Sequence, residues 1–591
     1  MTDYAPPLAD LRFALTHLAG LERVLALPCF EDVTPDLVDA VLDEADKFAQ
    51  GVLAPLSRIG DQQGARLENG VVRMPDGFPE AYKAYVEGGW NGPPFPPEHG
   101  GQGLPWLVAT ALNEIWGSAN LGFSLGPLLT QGAVELLEAH GSAEQKASYL
   151  QNMVTGRWSG TMNLTEPQAG SDVGALRTKA VRENGHYRIS GQKIYISYGD
   201  HEMAENIVHL VLARTEDAPP GIKGISLFIV PKYLVNEDGS PGARNDLRAA
   251  SLEHKMGIHA SPTAVMLYGE NEGAVGYLVG EECRGIEYMF TMMNNARLGV
   301  GLQGVSVAER AYQQAVAFAK DRVQMRDAVK GGREPVTIIH HPDVRRMLLR
   351  MRAQTEAMRA LALTAGAGLD LAKHLIDPDQ RQAAQRRVDL LIPVVKAWST
   401  DLGVEVASTN VQVHGGMGYI EETGAAQHYR DARIAAIYEG TNGIQAIDLV
   451  GRKVGRDGGE AMGALIAEMT ATAEELRHYD EPDLIAIVEP LAEGLAALER
   501  ASRWMVSNMG EKPGEALAGA SSYLRMAGYV IGGWLMARGA MATAGRDDAF
   551  AVQKRQVARF FAEQLIPEGT AMERPIVSGG ALVATMSPEA F

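Results

Sequence analysis

Cysteine is almost missing from this chain. Its 591 residues carry only Cys29 and Cys283, which leaves no disulfide framework and no cysteine-based zinc spacing. A reducing cytoplasm is the compartment this implies. No run of about 18 apolar residues is free of charge, so no membrane-spanning helix is expected. The most apolar run, Tyr529 to Ala537, is short, ends at Arg538 and reads as a buried helix. The first residues, Met1 to Pro7, lack a basic region followed by an apolar core, so no secretory signal is expected. Positive charge is also scarce: 54 Lys and Arg face 73 Asp and Glu, a formal net charge of -19. General nucleic-acid binding needs clustered cations to neutralise phosphates and is disfavoured. A small anionic ligand is not, because local charges and backbone amides can hold one. A strand followed by Gly-x-Gly-x-x-Gly and a helix is also missing, so a nucleotide cofactor has to be held by something other than a doubly wound sheet.

The chain is too long for one core and suggests three or four domains. From about Thr34 to Gly156 it reads as helical. Pro35 sits near a helix start, and Leu37, Val38, Val41, Leu42 and Ala45 form an apolar stripe at helical spacing. A Gly- and Pro-rich loop from Gly92 to Gly103 interrupts this pattern. The period then changes. Tyr187 to Ser197 partly alternates after an Asn184-Gly185 turn, and Asn206–Ala213 and Gly224–Val230 are further strand-like runs, giving a small β-barrel or sandwich. Helices resume near Gly285, and Leu298 to Arg326 and Pro342 to Ala367 carry the long apolar stripes of a helical bundle. A Gly-rich linker after about Gly455 precedes Ala-rich helices that run to Phe591. The expected division is an N-terminal extension (1–33), a helical domain (34–158), a middle β-domain (159–280), a helical bundle (281–453) and a C-terminal helical extension (454–591). The fold class is α+β.

Two stretches carry chemistry. In Tyr438-Glu439-Gly440-Thr441-Asn442 a carboxylate lies between an aromatic wall and a flexible turn bearing a hydroxyl. It reads either as a base for a carbon acid or as an ordinary solvated loop Glu. Leu164-Thr-Glu-Pro-Gln-Ala-Gly-Ser-Asp172 packs two hydroxyls, a Pro and a Gly into one turn. Its amides, with Thr165 and Ser171, suit a phosphate or a polar ring edge; the other reading is a hydroxyl-rich hairpin connection.

The second of these stretches resembles the first signature of the acyl-CoA dehydrogenase flavoproteins. Gly191-Gln-Lys-Ile-Tyr-Ile-Ser197 is similar to that family's Gly-x-Lys-x-Trp-Ile-Thr strand, and Lys255 to Thr263 to its Lys-x-Gly-x-x-x-Ser-x-Thr stretch. Gln412-Val-His-Gly-Gly-Met-Gly418 resembles its Gln-x-x-Gly-Gly-x-Gly segment, and Arg430-Asp431 with Tyr438 to Thr441 resembles its second signature. The motifs occur in the family's order and cover roughly residues 80 to 450.

The resemblance implies FAD held between the domains and across a subunit interface. Thr165 is expected on the pyrimidine edge of the flavin, with Met162 and Leu164 alongside. Ser197 is expected near N5, Tyr195 against the ring face, Ser171 at the pyrophosphate and in reach of substrate, and Thr441 near the same cofactor. Arg322, Gln412, Gly415 and Gly416 are expected to act on the other subunit's FAD. Asn294 and Arg297 fall where the family meets the pantetheine arm of acyl-CoA, and Tyr438 and Gly440 lie beside the substrate. No metal is implied. Tyr195 stands in place of Trp, Ser197 of Thr, Asn294 of a common Asp, and Met325 of the Phe that usually follows Arg322; the last weakens the assignment of Arg322. Glu439 becomes the expected base. An acyl thioester has a weakly acidic α-proton, so its removal needs a close, desolvated carboxylate whose proton affinity is raised towards neutrality. It also needs hydrogen bonds to the developing oxyanion.

Among other residues, His340-His341 reads as a loop pair without metal partners, and His414 as a helix-end filler. Arg430-Asp431 reads as an ion pair shaping the loop before Glu439. Met289 to Met293 reads as helix core or acyl-pocket lining, and Tyr438 as packing or substrate contact. Trp116 and Phe123 are candidates to limit the depth of an acyl pocket. Both chain ends exceed the common family length and resemble a larger bacterial subfamily that includes 3-methylthiopropanoyl-CoA dehydrogenases. In that analogy the extra helices cover the surface on which smaller members pair dimers, so a cytoplasmic homodimer is expected. The expected substrate is 3-methylthiopropanoyl-CoA or a medium- or long-chain acyl-CoA, with an electron-transferring flavoprotein as acceptor. One alternative is an acyl-CoA oxidase or a flavin monooxygenase using oxygen. Another is a DNA-protecting flavoprotein, disfavoured because residues 451–591 hold 14 Lys and Arg against 19 Asp and Glu.

Overall fold

The computed structural model describes residues 4–591. The chain forms two compact units. One takes residues 47–104 and 115–296; the other takes the described residues up to 46, then 105–114 and 297–591. The α+β class expected from the sequence holds.

The first of these units begins with helices, among them Ala54–Gln63, Phe78–Glu87, Leu121–His140 and Ala143–Val154. The last opens with a capping box: the Ser142 hydroxyl accepts from the Gln145 amide, and the Gln145 side chain accepts from the Ser142 amide. The expectation that this stretch is wholly helical needs correcting. Arg66–Glu68 and Val71–Arg73 form an antiparallel hairpin around Asn69-Gly70. Both turn residues are left-handed, with φ of 51° and 78°, a conformation that Asn and Gly accept and most residues resist. The turn delivers Val72 into the core of the β-section. Trp116 and Phe123 are buried. Their rings pack among Phe48, Tyr82, Tyr85 and Trp90 as an aromatic core.

The β-section is an eight-stranded sheet. Lys179–Glu183 pairs with His186–Ser197 on one side and Asn206–Thr215 on the other. Ala274–Leu278 and Ser226–Pro231 complete the circuit between those two strands, so the sheet closes on itself. Ile189, Val211, Phe228, Val230 and Met266 fill the interior.

The other unit is helical, and proline marks its helix starts. Pro342–His374, Pro378–His414, Pro482–Glu511 and Pro513–Met541 each begin on a proline, whose missing N–H costs nothing in a first turn. The helix Gly285–Asp321 is shorter than its apolar stripe suggested. It ends before Arg322, and Val323–Arg326 instead pairs with Pro335–Thr337. Met325, with a φ of 63°, is incompatible with continuing the helix. Pro342–His374, by contrast, runs past Ala367.

Glycine sets the closest helix crossing. A Cβ built on Gly304 would lie 2.2 Å from the Ser399 carbonyl oxygen, and one on Gly403 would lie 2.8 Å from the Gly304 carbonyl oxygen. The two backbones therefore touch, which no larger residue permits. Trp398 is gripped in a similar way by the helix Pro513–Met541, where Cβ atoms on Gly528 and Gly532 would fall 2.3 and 2.7 Å from its ring. The N-terminal segment joins the same unit. Lys554 pairs with both Asp10 and Glu356, Phe13 meets Phe550 edge-on, and Arg538 donates to the Leu18 carbonyl at 3.1 Å. Arg359 is buried between Glu114 and Glu309, at 2.7 and 2.6 Å. Among the described residues, no helix is long and apolar enough to cross a membrane.

Gly304→Ala is expected to lower the thermal midpoint by the equivalent of roughly 1–3 kcal/mol, the usual cost of overpacking. A wild-type melting curve for this variant would show that the two helices separate at no cost.

Candidate active site

Glu439 lies in a turn that the chain goes to some trouble to form. Its φ is 56° and that of Gly440 is 81°. Glycine adopts this region freely; a glutamate does not, and such strain persists only where its surroundings hold it. The surroundings are specific. The Gln445 side chain donates to the Glu439 carbonyl at 3.1 Å, and the Lys396 ammonium donates to the Gly440 carbonyl at 2.8 Å. Thr441 caps the helix Asn442–Asp448, its hydroxyl accepting from the Ile444 amide at 3.3 Å. Asn442 ties the turn to the helix Pro378–His414 through Asp401 at 2.7 Å, Thr400 at 3.0 Å and the Ala397 carbonyl at 3.1 Å.

Burial pushes the proton affinity of Glu439 up to about 7, against the pull of Arg297 and Lys396. Arg297 is 6% exposed and lies 3.9 Å from Asp448, which also pairs with Arg452. A guanidinium expected along the pantetheine arm thus sits in the field of the carboxylate. Tyr438 donates its hydroxyl to the buried Gln303 side chain, and desolvation raises its phenol well above the ordinary range. Tyr438, Glu439, Gly440, Thr441 and Arg297 are therefore gathered in one place. Lys396, Gln303 and Gln445 belong to the same group but stand in no motif.

In the other unit, a β-bulge sets Tyr195. The register between Thr263–Tyr268 and His186–Ser197 slips between Ala264 and Met266, opposite Lys193 to Ile196. Tyr195 takes the left-handed conformation there, with a φ of 58°, and the residue is 61% exposed. The signature loop is pinned to the same strand, Ile194 donating its amide to the Thr165 carbonyl at 2.9 Å. Beneath it, Glu166 accepts from the Arg177 amide, the Thr178 amide and hydroxyl, and the Lys193 ammonium at 2.6 to 3.0 Å. Burial alone would raise the Glu166 carboxyl, but Lys193 and these hydrogen bonds pull it down to about 2. Lys193 also donates to the Leu164 carbonyl at 2.9 Å. One buried ion pair therefore joins two motifs that sequence reading treated separately.

These residues fit a flavin. Tyr195 presents a bare ring, and among the described residues the hydroxyls of Thr165, Ser171 and Ser197 engage no protein partner. Met162 and Leu164 flank them on the strand Trp158–Asn163 and the loop that follows. Asn294 is exposed in this unit. In the helical unit, Arg322, Gln412, Gly415 and Gly416 are exposed, and a Cβ on either glycine would meet nothing within 4 Å. His414 closes its helix end, its Nδ1–H donating to the Asn410 carbonyl at 2.8 Å and its ring stacking on Phe318. Arg430 pairs with Glu421 at 2.9 Å. His341 bonds the Gln324 carbonyl at 2.7 Å. Met289 and Met292 are core residues.

Family models match along most of the chain: acyl-CoA dehydrogenase N-terminal domain at residues 36–157, middle domain at 161–270 and C-terminal domain at 283–454. An acetyl-CoA dehydrogenase C-terminal-like domain matches residues 465–587. The chain is 49% identical to a 3-methylmercaptopropionyl-CoA dehydrogenase of Ruegeria pomeroyi, covering 99% of this chain and 100% of that one. It is 35% identical to the broad-specificity linear acyl-CoA dehydrogenase FadE5 of Mycobacterium tuberculosis, covering 96% of each. Among solved structures, Caenorhabditis elegans ACDH-11 in complex with C11-CoA shares the fold at a TM-score of 0.77 and 20% identity, over 98% of this chain and 96% of that one. An acyl-CoA dehydrogenase of Bacillus anthracis complexed with FAD does so at 0.74 and 21%, over 95% and 90%. The chain belongs to the acyl-CoA dehydrogenase family, whose members are FAD-dependent oxidoreductases.

A base can take a proton only when it has lost its own. The single-turnover rate of flavin reduction by an acyl-CoA is therefore expected to rise as pH increases through about 7 and to level above it. A rate flat between about pH 5 and about pH 9 would contradict this role for Glu439.

Proposed function

We propose that this enzyme dehydrogenates an acyl-CoA thioester between Cα and Cβ to the trans-2-enoyl-CoA, with Glu439 removing the α-proton. The observation that carries this reading is the carboxylate itself: it is held in a strained turn and has a proton affinity near neutrality. A base of that strength is ionised often enough to act and basic enough to pull on a weak carbon acid. FAD, when bound, supplies the acceptor for the β-hydrogen, taken as hydride at N5. Thr165, Ser171, Tyr195 and Ser197 would hold it, with Met162 and Leu164 alongside. Thr441 would lie near it, and Arg322, Gln412, Gly415 and Gly416 would reach the FAD of the other subunit. The Glu439 amide would donate to the thioester oxygen as charge builds there. Ser171, Asn294, Arg297, Tyr438 and Gly440 would contact the substrate.

For the acyl group, the name of the Ruegeria pomeroyi relative supports 3-methylthiopropanoyl-CoA, and that of the Mycobacterium tuberculosis relative supports linear acyl chains. A bacterial cytoplasmic location and an electron-transferring flavoprotein as acceptor complete the reading. So does a homodimer, supported by the apolar surface at Met325, 71% exposed, and Tyr419, 86% exposed.

A panel of acyl-CoA thioesters mixed anaerobically with the enzyme tests the substrate. 3-Methylthiopropanoyl-CoA is expected to bleach the flavin fastest, while Glu439→Gln keeps FAD, binds the thioester and fails to bleach. Bleaching retained by Glu439→Gln would defeat the assignment of the base, and turnover with oxygen equal to that with an electron-transferring flavoprotein would favour an oxidase. The mass in solution is expected to be that of a dimer; a stable tetramer would refute it.

A further inference from the structure

We propose that Lys396 is a positioning residue: it holds the Glu439 turn in place, and its positive charge sets the pH at which Glu439 starts to accept protons. The inference rests on Glu439 being the base. Lys396 lies inside the helix Pro378–His414, and none of it is exposed. A buried ammonium is costly, so it is retained only where its hydrogen bonds and field offset the desolvation. Its bonds are to the Gly440 carbonyl and the Asn442 side-chain oxygen, each at 2.8 Å. Both acceptors follow Glu439 in sequence, and one is adjacent to it. The ammonium therefore fixes the far side of the left-handed turn whose near side Gln445 holds.

Two neutral hydrogen bonds could be made by an amide. What the ammonium adds is charge. Glu439 faces it from the turn, Asp401 from its own helix, and Arg297 from the helix Gly285–Asp321. Beyond these, Asp448 and Arg452 pair with each other beside Arg297, and Arg525 pairs with Glu405 near Asp401. Desolvation drives the Glu439 carboxyl up, and Lys396 is one of the two cations that check the rise. In turn desolvation brings the Lys396 ammonium down to about 8, against the pull of Glu439 and Asp401. Without this charge the carboxylate would be more basic but protonated over more of the working range. Lys396 thereby trades intrinsic base strength for the fraction of enzyme ready to react.

The test is Lys396→Gln, which can keep a donor while losing the charge, beside Lys396→Arg, which keeps the charge. Two measurements are made across pH: flavin bleaching by acyl-CoA, and exchange of the α-hydrogen of a 3-thia-acyl-CoA with D₂O, which needs the base but no hydride transfer. In Lys396→Gln the acidic limb of both is expected to move up by about one pH unit, with roughly tenfold slower exchange on that limb. Lys396→Arg is expected to return the limb towards its wild-type position. A wild-type limb in a folded, FAD-loaded Lys396→Gln enzyme would overturn the proposal. Should Lys396→Gln lose FAD, Asn442→Ala decides, since it removes one acceptor but leaves the ammonium charged. A limb that stays put supports the role of charge, and one displaced by about a unit assigns the effect to turn geometry and overturns it. Exchange that survives in Glu439→Gln would instead defeat the underlying reading of the base, whatever Lys396 does.

Discussion

A carboxylate enclosed by protein tends to give up its charge, and a cation enclosed by protein tends to give up its proton. Glu439, Lys396 and Arg297 counter both tendencies by facing one another. The Glu439 carboxyl ends near neutrality because desolvation and cation attraction nearly offset each other. That balance needs fixed distances, and fixed distances need rigid supports. The helix carrying Lys396 meets the helix carrying Arg297 across glycine, with backbone almost on backbone at Gly304, Ser399 and Gly403. The electrostatics of the Glu439 carboxylate is thus inherited from a packing contact that contains no charge.

The β-section solves a related problem with other means. A flavin needs a flat surface and several polar contacts at set heights, and loops supply neither unaided. Here a bulge turns Tyr195 outwards, while the Glu166–Lys193 pair clamps the signature loop to the strand that bears it. A fully enclosed ion pair seldom adds much stability over an apolar pair of the same shape. In this position it ties loop to strand: Lys193 bonds the Leu164 carbonyl as well as Glu166, and the Ile194 amide bonds the Thr165 carbonyl.

Much of this was legible in the residues. The α+β order, the closed β-section and the buried character of Tyr529–Ala537 follow from changes of hydrophobic period. Glu439 between Tyr and Gly was a weak signal by itself, and the neighbouring motifs raised it to the expected base. The hairpin at Asn69-Gly70 escaped because its strands are too short for alternation to show. The end of the long helix at Asp321 escaped because its apolar stripe continues into Val323, and only the backbone at Met325 reveals the break. Lys396 was invisible for a different reason. Its partners are Gly440 and Asn442, 44 and 46 residues away, and no local rule separates a lysine facing inwards from one facing water. Arg297 was found, but its burial beside Asp448 was not foreseen.

Trp398, two residues beyond Lys396, is enclosed by Gly528 and Gly532 of the helix Pro513–Met541. Counted by length, the last quarter or so of the chain is an addition to the three domains before it. Counted by contact, it packs against the helix that holds the Glu439 turn through Lys396. Removing that part would leave an indole bare on the back of the helix that carries Lys396. The part that appears dispensable in a diagram of domains is, in the folded molecule, what the rest leans on.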